Sequence, residues 1–473
     1  MGHVEGASRY QRVLVAPSLD EQVGADHPVR VIDAFVAALD LAGLGFSKVA
    51  AEETGRPPYR PGDLLKLYLY GYANQVRSSR RLAREACRNI EVRWLISEVS
   101  PSFKTIADFR RDHPAAIVGA TRAFVQFCRG WSLYGGELVA IDGSKIEAVA
   151  SRKKVITPKT LEKRLAALDR KIAEHLAAMD AADRAEAAED RPADVAAALA
   201  ALRDRREEIA AQAQALAEAG LSQLVIGEAD ARLMKTARHG HQVAYNAQSA
   251  VDAKHGLIAA FDLTNEANDQ GQLQAMAKSA QDALQAETLT VVADSGYSNG
   301  AQGEACQAAG ITAAVPRAQT VNPKNPGLFT RDAFAYDPER DSFTCPAGQT
   351  LRPFKVSRTE QKTYYAAASC AGCALKPRCT KAERRTVARG VHEDAKEAMH
   401  QRAERDPTLM KQRRCLAEHP FGIMKARMGT PRFLLRGLTK ARAELALGVL
   451  AFNLQRVLSI LGASTLLGKL RAA

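Results

Sequence analysis

The stretch ELVAIDGSKIEA, residues 137–148, contains a short apolar run that ends in Asp142. A second stretch, ETLTVVADSGYSN at 287–299, has the same form, because its apolar residues lead directly to Asp294. Short apolar runs bounded by polar residues are typical of buried strands. The sequence therefore predicts two buried strands, each with a carboxylate at its C-terminal end.

The surrounding sequence predicts the other elements of one sheet. Residues 241–265, HQVAYNAQSAVDAKHGLIAAFDLTN, indicate two strands around a turn at Asp252–Gly256. A helix over Asp269–Leu284, a helix at 300–309 and a strand at 311–316 follow. These elements are preceded by the strand at 137–148 and followed by a helix further along the chain. When two insertions are left out, the order is βββαβαβα, which is typical of an α/β core.

The order of the strands has a chemical consequence. In a βββαβ sheet the first and fourth strands are neighbours, so Asp142 and Asp294 are expected to lie close together. Two adjacent carboxylates repel each other, and a divalent metal ion relieves that repulsion. Enzymes that transfer phosphoryl groups at nucleic-acid backbones commonly use bound magnesium ions.

The first insertion, residues 158–219, consists of Ala, Leu and charged residues and predicts a helical hairpin of coiled-coil type. Its apolar positions are Leu161, Leu165, Leu168, Ile172, Leu176 and Met179 on one arm, and Val195, Leu199, Leu202, Ile209 and Leu216 on the other. The turn is predicted at 189–194. Packing of the hairpin on itself and pairing with a second protomer are both compatible with this pattern.

The second insertion is rich in cysteine. Cys345 is followed by a C-x2-C-x5-C pattern at Cys370, Cys373 and Cys379, which predicts a structural zinc site of four thiolates. Because residues 317–380 contain few apolar side chains, we expect an irregular segment that depends on its metal rather than on a core. Four free thiols are the alternative, and His392 or His400 could replace one cysteine as a ligand.

The remaining cysteines lie on helical segments with apolar neighbours. Cys87, Cys128, Cys306 and Cys415 are therefore predicted to be small core residues rather than ligands.

Residues 28–131 carry apolar residues at helical spacing and predict an all-α region, with one helix beginning after Ser102. An arginine face recurs within it at Arg77, Arg80, Arg81, Arg84 and Arg88. A row of arginines with few acidic partners repels itself unless an anion neutralises it. The face is thus interpreted as a contact with DNA phosphates, with an ordinary solvated surface as the alternative.

Composition limits the classes of function. The chain has 66 Lys or Arg and 53 Asp or Glu, a net charge of +13, and residues 376–442 alone hold 18 basic against 7 acidic residues. This surplus favours a polyanionic partner, most commonly nucleic acid. The apolar run at 444–462 is interrupted by Asn453, Gln455 and Arg456, so it predicts a packed helix, not a membrane span. No secretion signal or nucleotide-binding loop is recognisable, so we expect a cytoplasmic protein at the nucleoid, without a nucleotide cofactor.

A third motif lies in the basic C-terminal region. RCLAEHPFGIMKARMG, residues 414–429, predicts a helix that carries Arg414, Glu418 and Lys425 on one face. With AIDGSKIEA at 140–148 and VVADSGYSN at 291–299, the chain resembles the DDE transposases of bacterial insertion sequences. The second motif contains the D-x-G-Y of that family, and the third contains its R-x3-E-x6-K. Lys411 stands where the family often has tyrosine.

The resemblance implies an RNase H-like catalytic core in which Asp142, Asp294 and Glu418 bind two Mg²⁺ or Mn²⁺ ions. It also implies that Lys425 and Arg414 hold DNA phosphates, a role that Lys145 could share. The partners would be double-stranded DNA at the terminal inverted repeats and at the target, bound by a homodimer or higher oligomer.

Other acidic residues and other functions compete with this interpretation. Asp252 and Asp262 are the main rivals for the first carboxylate, although Asp252 lies in a turn and is expected to be a capping residue. Glu228 and Asp230 are weaker rivals. A hydrolytic nuclease would use the same carboxylates, and an inactive DNA-binding protein derived from a transposase would keep them without cleavage.

The predicted division of the chain follows these elements. It comprises a helical DNA-binding domain (1–136), the first part of the core (137–157), the hairpin insertion (158–219), the second part of the core (220–316), the Cys-rich insertion (317–390), and the catalytic Glu helix with the C-terminal helices (391–473).

Overall fold

The N-terminal region is helical, as predicted. A computed structural model describes residues 17–50, 57–184, 192–218, 220–236, 240–318, 327–426 and 428–472, with only the backbone described for 181–184 and 192–196. The first helices are α1 (Pro28–Ala37), α2 (Pro61–Ala73), α3 (Ser79–Arg88), α4 (Ile90–Leu95), α5 (Phe103–Asp112) and α6 (Pro114–Gly130). Ser102 caps α5 as expected, because its hydroxyl accepts the N–H of Thr105 at 3.1 Å.

A mixed sheet forms the centre of the protein. Its strands are β1 (Leu138–Glu147), β4 (Arg232–Thr236), β5 (Gly240–Asp252), β6 (Ile258–Thr264), β7 (Leu289–Val292) and β8 (Ile311–Ala314); β2 (Val155–Ile156) and β3 (Leu224–Val225) form a separate short pair. The strand order is β6–β5–β1–β7–β8, with β5 antiparallel to β1 and β6, and with β7 and β8 parallel to β1. The predicted contact between the two aspartate-bearing strands is therefore present.

One strand of the sheet was not predicted. β4 pairs with the first residues of β5, along the edge that β6 occupies further on. The sheet is packed against helices that include α9 (Leu273–Leu284) and α10 (Gly300–Ala308). Ten consecutive residues of β5, Val243–Asp252, are buried, and they include the polar side chains of Asn246, Gln248 and Ser249.

The helical insertion is a hairpin of α7 (Pro158–Arg184) and α8 (Pro192–Glu218). Leu161 of α7 packs with Ile209 and Leu216 of α8 and with Ile156 of β2, so the hairpin packs on itself near its base. The predicted turn at 189–194 lies partly outside the described residues. Pairing with a second protomer stays a prediction.

The Cys-rich segment is not irregular, which corrects the sequence-based expectation. It contains β9 (Ala335–Asp337), β10 (Ser342–Thr344), β11 (Thr350–Ser357), β12 (Lys362–Ala366), the short helix α11 (Lys376–Cys379) and β13 (Thr386–Gly390), with the strands in one antiparallel sheet. A small core of Phe334, Phe343, Leu351, Tyr365, Ala367 and Val387 supports it. Arginines extend this core, since the Arg389 guanidinium lies 3.7 Å from the centre of the Tyr336 ring.

The C-terminal region is helical, as predicted, with α12 (Glu393–Arg405), α13 (Pro407–Ala426), α14 (Leu438–Leu461) and α15 (Ala463–Arg471). Among the described helices, α14 is long and apolar enough to cross a membrane, but most of its apolar window is buried inside the protein. Its Asn453 amide exchanges two hydrogen bonds with the backbone of Ile258, at 2.9 and 2.8 Å. The interrupting polar residue therefore joins α14 to β6.

A buried carboxylate joins the N-terminal helices to the C-terminal half. Glu444 of α14 is 1% exposed, and its Oε1 accepts the Tyr72 hydroxyl at 3.0 Å and lies 3.4 Å from Arg110. Its Oε2 accepts the backbone N–H groups of Leu434 and Leu435 at 2.7 and 2.8 Å. One side chain thus fixes α2, α5 and the connection between α13 and α14.

We predict that Glu444→Ala lowers the free energy of unfolding by about 3–5 kcal/mol, because Arg110 would be left as a buried cation without its partner. Denaturant unfolding of the full chain measures this. Glu162→Ala, an exposed position on α7, is the control and should change stability by less than about 0.5 kcal/mol. Equal effects of the two substitutions would contradict the assigned role of Glu444.

Candidate active site

The two predicted aspartates lie side by side, but Asp142 is not at a strand end as expected, because β1 continues to Glu147 in its antiparallel pairing with β5. Ala140 pairs with Val292 in the parallel ladder of β1 and β7, and Asp142 and Asp294 each follow two residues later. The Asp142 side chain is 15% exposed and the Asp294 side chain 45% exposed. The pair therefore forms a partly enclosed acidic site just beyond the point where the parallel pairing of β1 and β7 ends.

An arginine joins the two carboxylates. Arg413 of α13 places Nη2 2.9 Å from Asp142 Oδ1 and 3.4 Å from Asp294 Oδ2. Sequence reasoning missed this residue, because the motif begins at the adjacent Arg414. A signal was present, since Arg413 lies on the same helical stripe as the buried Ala417 and Met424.

The environment of Asp142 opposes its negative charge. The pKa of Asp142 is raised to about 6, mainly by burial and also by the nearby carboxylates of Asp294 and Asp269, which together outweigh the lowering by Arg413 and the Gly143 backbone N–H. Two carboxylates that share one cationic group, on a site that disfavours their charge, are suited to a hard divalent cation with oxygen ligands.

Asp269 is a third acidic residue at the site, and sequence reasoning missed it as well. Its carboxylate accepts the Asn246 amide at 2.6 Å and the Gln248 amide at 2.8 Å, and it lies 3.3 Å from Lys145 Nζ. A Cβ on Gly143 would come within 2.7 Å of Asp269 Oδ1, so this close approach requires glycine. The signal was the pair of amides two residues apart on a strand predicted to be buried, since buried amides need partners.

The two predicted lysines both make contacts close to Asp142 in the sequence of β1: Lys145 belongs to this strand, and Lys425 binds to it from α13. Lys145 is 15% exposed and paired with Asp269, so it is not a solvated strand-end residue. Lys425 donates hydrogen bonds from Nζ to the Ser144 hydroxyl at 2.6 Å and to the Lys145 carbonyl at 2.9 Å. These contacts fasten the end of α13 to β1.

Glu418 and Arg414 are exposed on α13. Within the described ranges, no group of three or more His, Cys, Asp or Glu side chains is arranged to hold a metal ion, and this statement covers both Glu418 with the two aspartates and the four cysteines of the Cys-rich segment. The structure therefore brings together the two aspartates and Arg413. Glu418 lies on the solvent-exposed side of the same helix.

The rival carboxylates have structural partners. Asp252 is 1% exposed and accepts hydrogen bonds from the backbone N–H groups of three residues, in agreement with the expected capping role. Asp262 forms an ion pair with Arg442 at 2.8 Å. Glu228 and Asp230 each accept a backbone N–H, at 2.7 and 2.9 Å.

The four cysteines of the Cys-rich sheet converge on one small cavity. Cys345, Cys370, Cys373 and Cys379 all line it. Burial raises the pKa of the Cys379 thiol, and the other three thiols raise it further, so all four lie within electrostatic range. The thiol of Cys345 also accepts the backbone N–H of Gln349 at 3.3 Å.

The alternative histidine ligands lie elsewhere, which corrects that expectation. His392 faces Glu304 at 2.5 Å, and His400 bonds to the Ser298 hydroxyl at 2.8 Å. Burial lowers the pKa of His400 to about 4.

The prediction for the other cysteines is half right. Cys128 and Cys306 are buried, whereas Cys87 and Cys415 are exposed. Cys87 and Cys415 lie on the solvent side of α3 and α13, where charged neighbours in the sequence outweigh the apolar ones.

Most of the arginine face lies open to solvent. Its exposed members are Arg80, Arg81, Arg84 and Arg88 on α3. Arg88 is paired with Glu85. Arg77, immediately before α3, is partly buried and donates to the carbonyl of Arg432 at 2.8 Å, which links the face to the segment after α13.

Comparison with known families identifies the class of protein. Residues 17–112 match the family described as Transposase domain (DUF772), and residues 344–458 match the family described as Transposase DDE domain. No curated protein and no solved structure matched the chain. Both matches are to transposase domains.

The two matches support an insertion-sequence DDE transposase, to which the chain is similar over these two ranges. This family acts on DNA by phosphoryl transfer and uses divalent metal ions. The DDE match includes Arg413, Glu418 and Lys425, while Asp142 and Asp294 lie between the two matched ranges.

Proposed function

We propose that this protein cuts DNA at the terminal inverted repeats of its own element and joins the freed ends to target DNA, by cut-and-paste transposition in the nucleoid. The observation that carries the proposal is the meeting of Asp142 and Asp294 on adjacent parallel strands, against the helix that bears Glu418. The strand order β6–β5–β1–β7–β8 supports an RNase H-like core, since it follows the order expected for βββαβαβα.

Asp142, Asp294 and Glu418 would hold two Mg²⁺ or Mn²⁺ ions. When bound, such ions activate the attacking oxygen and stabilise the leaving oxygen of an in-line displacement. Water attack at the element end breaks a phosphodiester and leaves a DNA 3′-hydroxyl. Attack of that hydroxyl on target DNA forms a new phosphodiester and releases a target 3′-hydroxyl.

The cations around the acidic pair would position the DNA backbone. Lys425 is held against β1 by Ser144, which lies two residues after Asp142 in the same strand. From there its ammonium group can also bind a phosphate oxygen. Arg414 is exposed on the same helix and Lys145 lies one residue beyond Ser144. We assign all three to contacts with phosphates near the scissile bond.

We expect Asp142→Ala, Asp294→Ala and Glu418→Ala each to remove nearly all cleavage, because losing one metal ligand removes several kcal/mol of transition-state stabilisation. DNA binding should persist, since each change deletes a negative charge near phosphates. Lys425→Ala should weaken both binding and cleavage. The assays are cleavage of labelled inverted-repeat DNA in Mg²⁺ or Mn²⁺ and gel-shift binding without metal.

Asp262→Ala is the matched control for those variants, because it removes a carboxylate from the same sheet outside the acidic pair. It should leave cleavage unchanged. Wild-type protein that binds but never cuts in either ion would favour the inactive DNA-binding alternative. Cleaved ends that are never joined to target DNA would favour a hydrolytic nuclease.

We also propose a structural zinc ion held by Cys345, Cys370, Cys373 and Cys379. The support is the cavity that all four cysteines line and the backbone N–H of Gln349 that is donated to the Cys345 sulfur. Such a set suits tetrahedral Zn²⁺. The ion would add to the small aromatic core of this sheet rather than replace a core.

Elemental analysis after chelation and dialysis should find about one zinc per chain, the stoichiometry of a closed four-ligand site. Cys373→Ser should lower the zinc content and the thermal stability, because it breaks the ligand set. Cys87→Ser, at an exposed thiol, should change neither. Zinc-free wild-type protein with unchanged unfolding would argue against the site.

The N-terminal helices, residues 1–136 in the predicted division, are proposed to bind the transposon ends through the arginine face, and a homodimer or higher oligomer would hold two ends. The support is the exposure of four arginines on one short helix, with the single acidic residue Glu85 already paired to Arg88. That leaves a positive surface suited to the DNA backbone.

Replacing Arg80, Arg81 and Arg84 together by Ala in the full chain should weaken binding to inverted-repeat DNA. A plot of log affinity against log salt concentration should become less steep. The magnitude of its slope should decrease by about 2–3, as expected for the loss of three phosphate contacts. Arg88→Ala is the control on the same helix, and its effect should be smaller because Glu85 already neutralises Arg88. An unchanged salt slope in the triple variant would exclude the contact.

A further inference from the structure

Arg413 occupies the space between the two carboxylates that are assigned to metal binding. The same Nη2 atom contacts Asp142 Oδ1 at 2.9 Å and Asp294 Oδ2 at 3.4 Å. Its side chain is 13% exposed, and its Nε is buried without a hydrogen-bond partner among the described residues. The guanidinium is thus well placed for the two acids but incompletely satisfied itself.

This arrangement compensates a charge problem that the sheet creates. Pairing of β1 with β7 holds two carboxylates together, and an acidic neighbour, Asp269, adds to the repulsion. A single cation between the two facing oxygens relieves it. A divalent ion held by Asp142 and Asp294 would need the same two carboxylates, so it would compete with the guanidinium for them.

We propose that Arg413 is an internal counter-ion that closes the Asp142–Asp294 pair in the metal-free protein and is displaced when a divalent ion binds. It is a positioning residue, and this role rests on the proposed metal site. Because Nε has no hydrogen-bond partner among the described residues, only the Nη2 contacts with the two carboxylates have to be replaced when the guanidinium leaves. Because Arg413 and Glu418 belong to one helix, the displacement frees the helix that carries the third proposed ligand from its anchor on the acidic pair.

The test measures Mn²⁺ binding to the full chain without DNA, by electron paramagnetic resonance of free Mn²⁺ and by thermal unfolding. Arg413→Gln should bind Mn²⁺ about tenfold more tightly or better, as expected when a competing ion pair is removed. In chelator its melting temperature should lie below that of wild type, and Mn²⁺ should raise it by more than it raises that of wild type.

Lys411→Gln is the matched control, because it removes an exposed cation from the same helix, and it should bind Mn²⁺ as wild type does. Arg413→Lys keeps the charge but not the planar guanidinium, so its affinity should lie between those of wild type and Arg413→Gln. This second variant keeps the test decisive if Arg413→Gln does not fold.

The outcomes separate this inference from the proposed function. Mn²⁺ binding that is lost in Asp142→Asn but equal or weaker in the Arg413 variants would overturn the counter-ion role and leave the metal site intact. Mn²⁺ binding that is absent from wild type and the Arg413 variants, or that is unaffected by Asp142→Asn, would overturn the metal site and this inference with it.

Discussion

The enforced proximity of two carboxylates governs the arrangement of the catalytic half. Asp142 and Asp294 meet because their strands pair in parallel, and the apolar residues before them fix that pairing. Repulsion between them is answered by Arg413 from α13. Asp269, one step away, is held by amides and Lys145. The position of α13 thus follows from electrostatics as well as from apolar packing.

Much of the fold follows from simple patterns, because the apolar runs at 138–141 and 289–293 leave few alternatives to buried strands. The Cys-rich sheet was missed for a physical reason. Its core is made from few aromatic side chains covered by arginines, such as Arg389 over Tyr336, and hydrophobicity alone does not register such cation–π packing. β4 was missed because RLMKT resembles an ordinary polar loop.

The site was predictable where topology alone decides and was missed where side-chain direction decides. The meeting of Asp142 and Asp294 needs only the strand order. Choosing Arg413 over Arg414 needs the rotation of α13 about its axis, and finding Asp269 needs the path of a loop. The position of Glu418 could not be predicted for the same reason, because its place in the motif does not determine how far its carboxylate lies from the two aspartates. Pro420, inside the same helix, also removes one backbone hydrogen bond close to Glu418.

The buried Glu444 has a consequence for shortened copies of such a gene. Tyr72 and Arg110 of the N-terminal helices find their anionic partner more than 300 residues later in the chain. A polypeptide that ends early, after a frameshift or an internal deletion, would keep the exposed arginines of α3 but leave Arg110 as an uncompensated interior cation. We expect such a product to fold poorly and to be degraded.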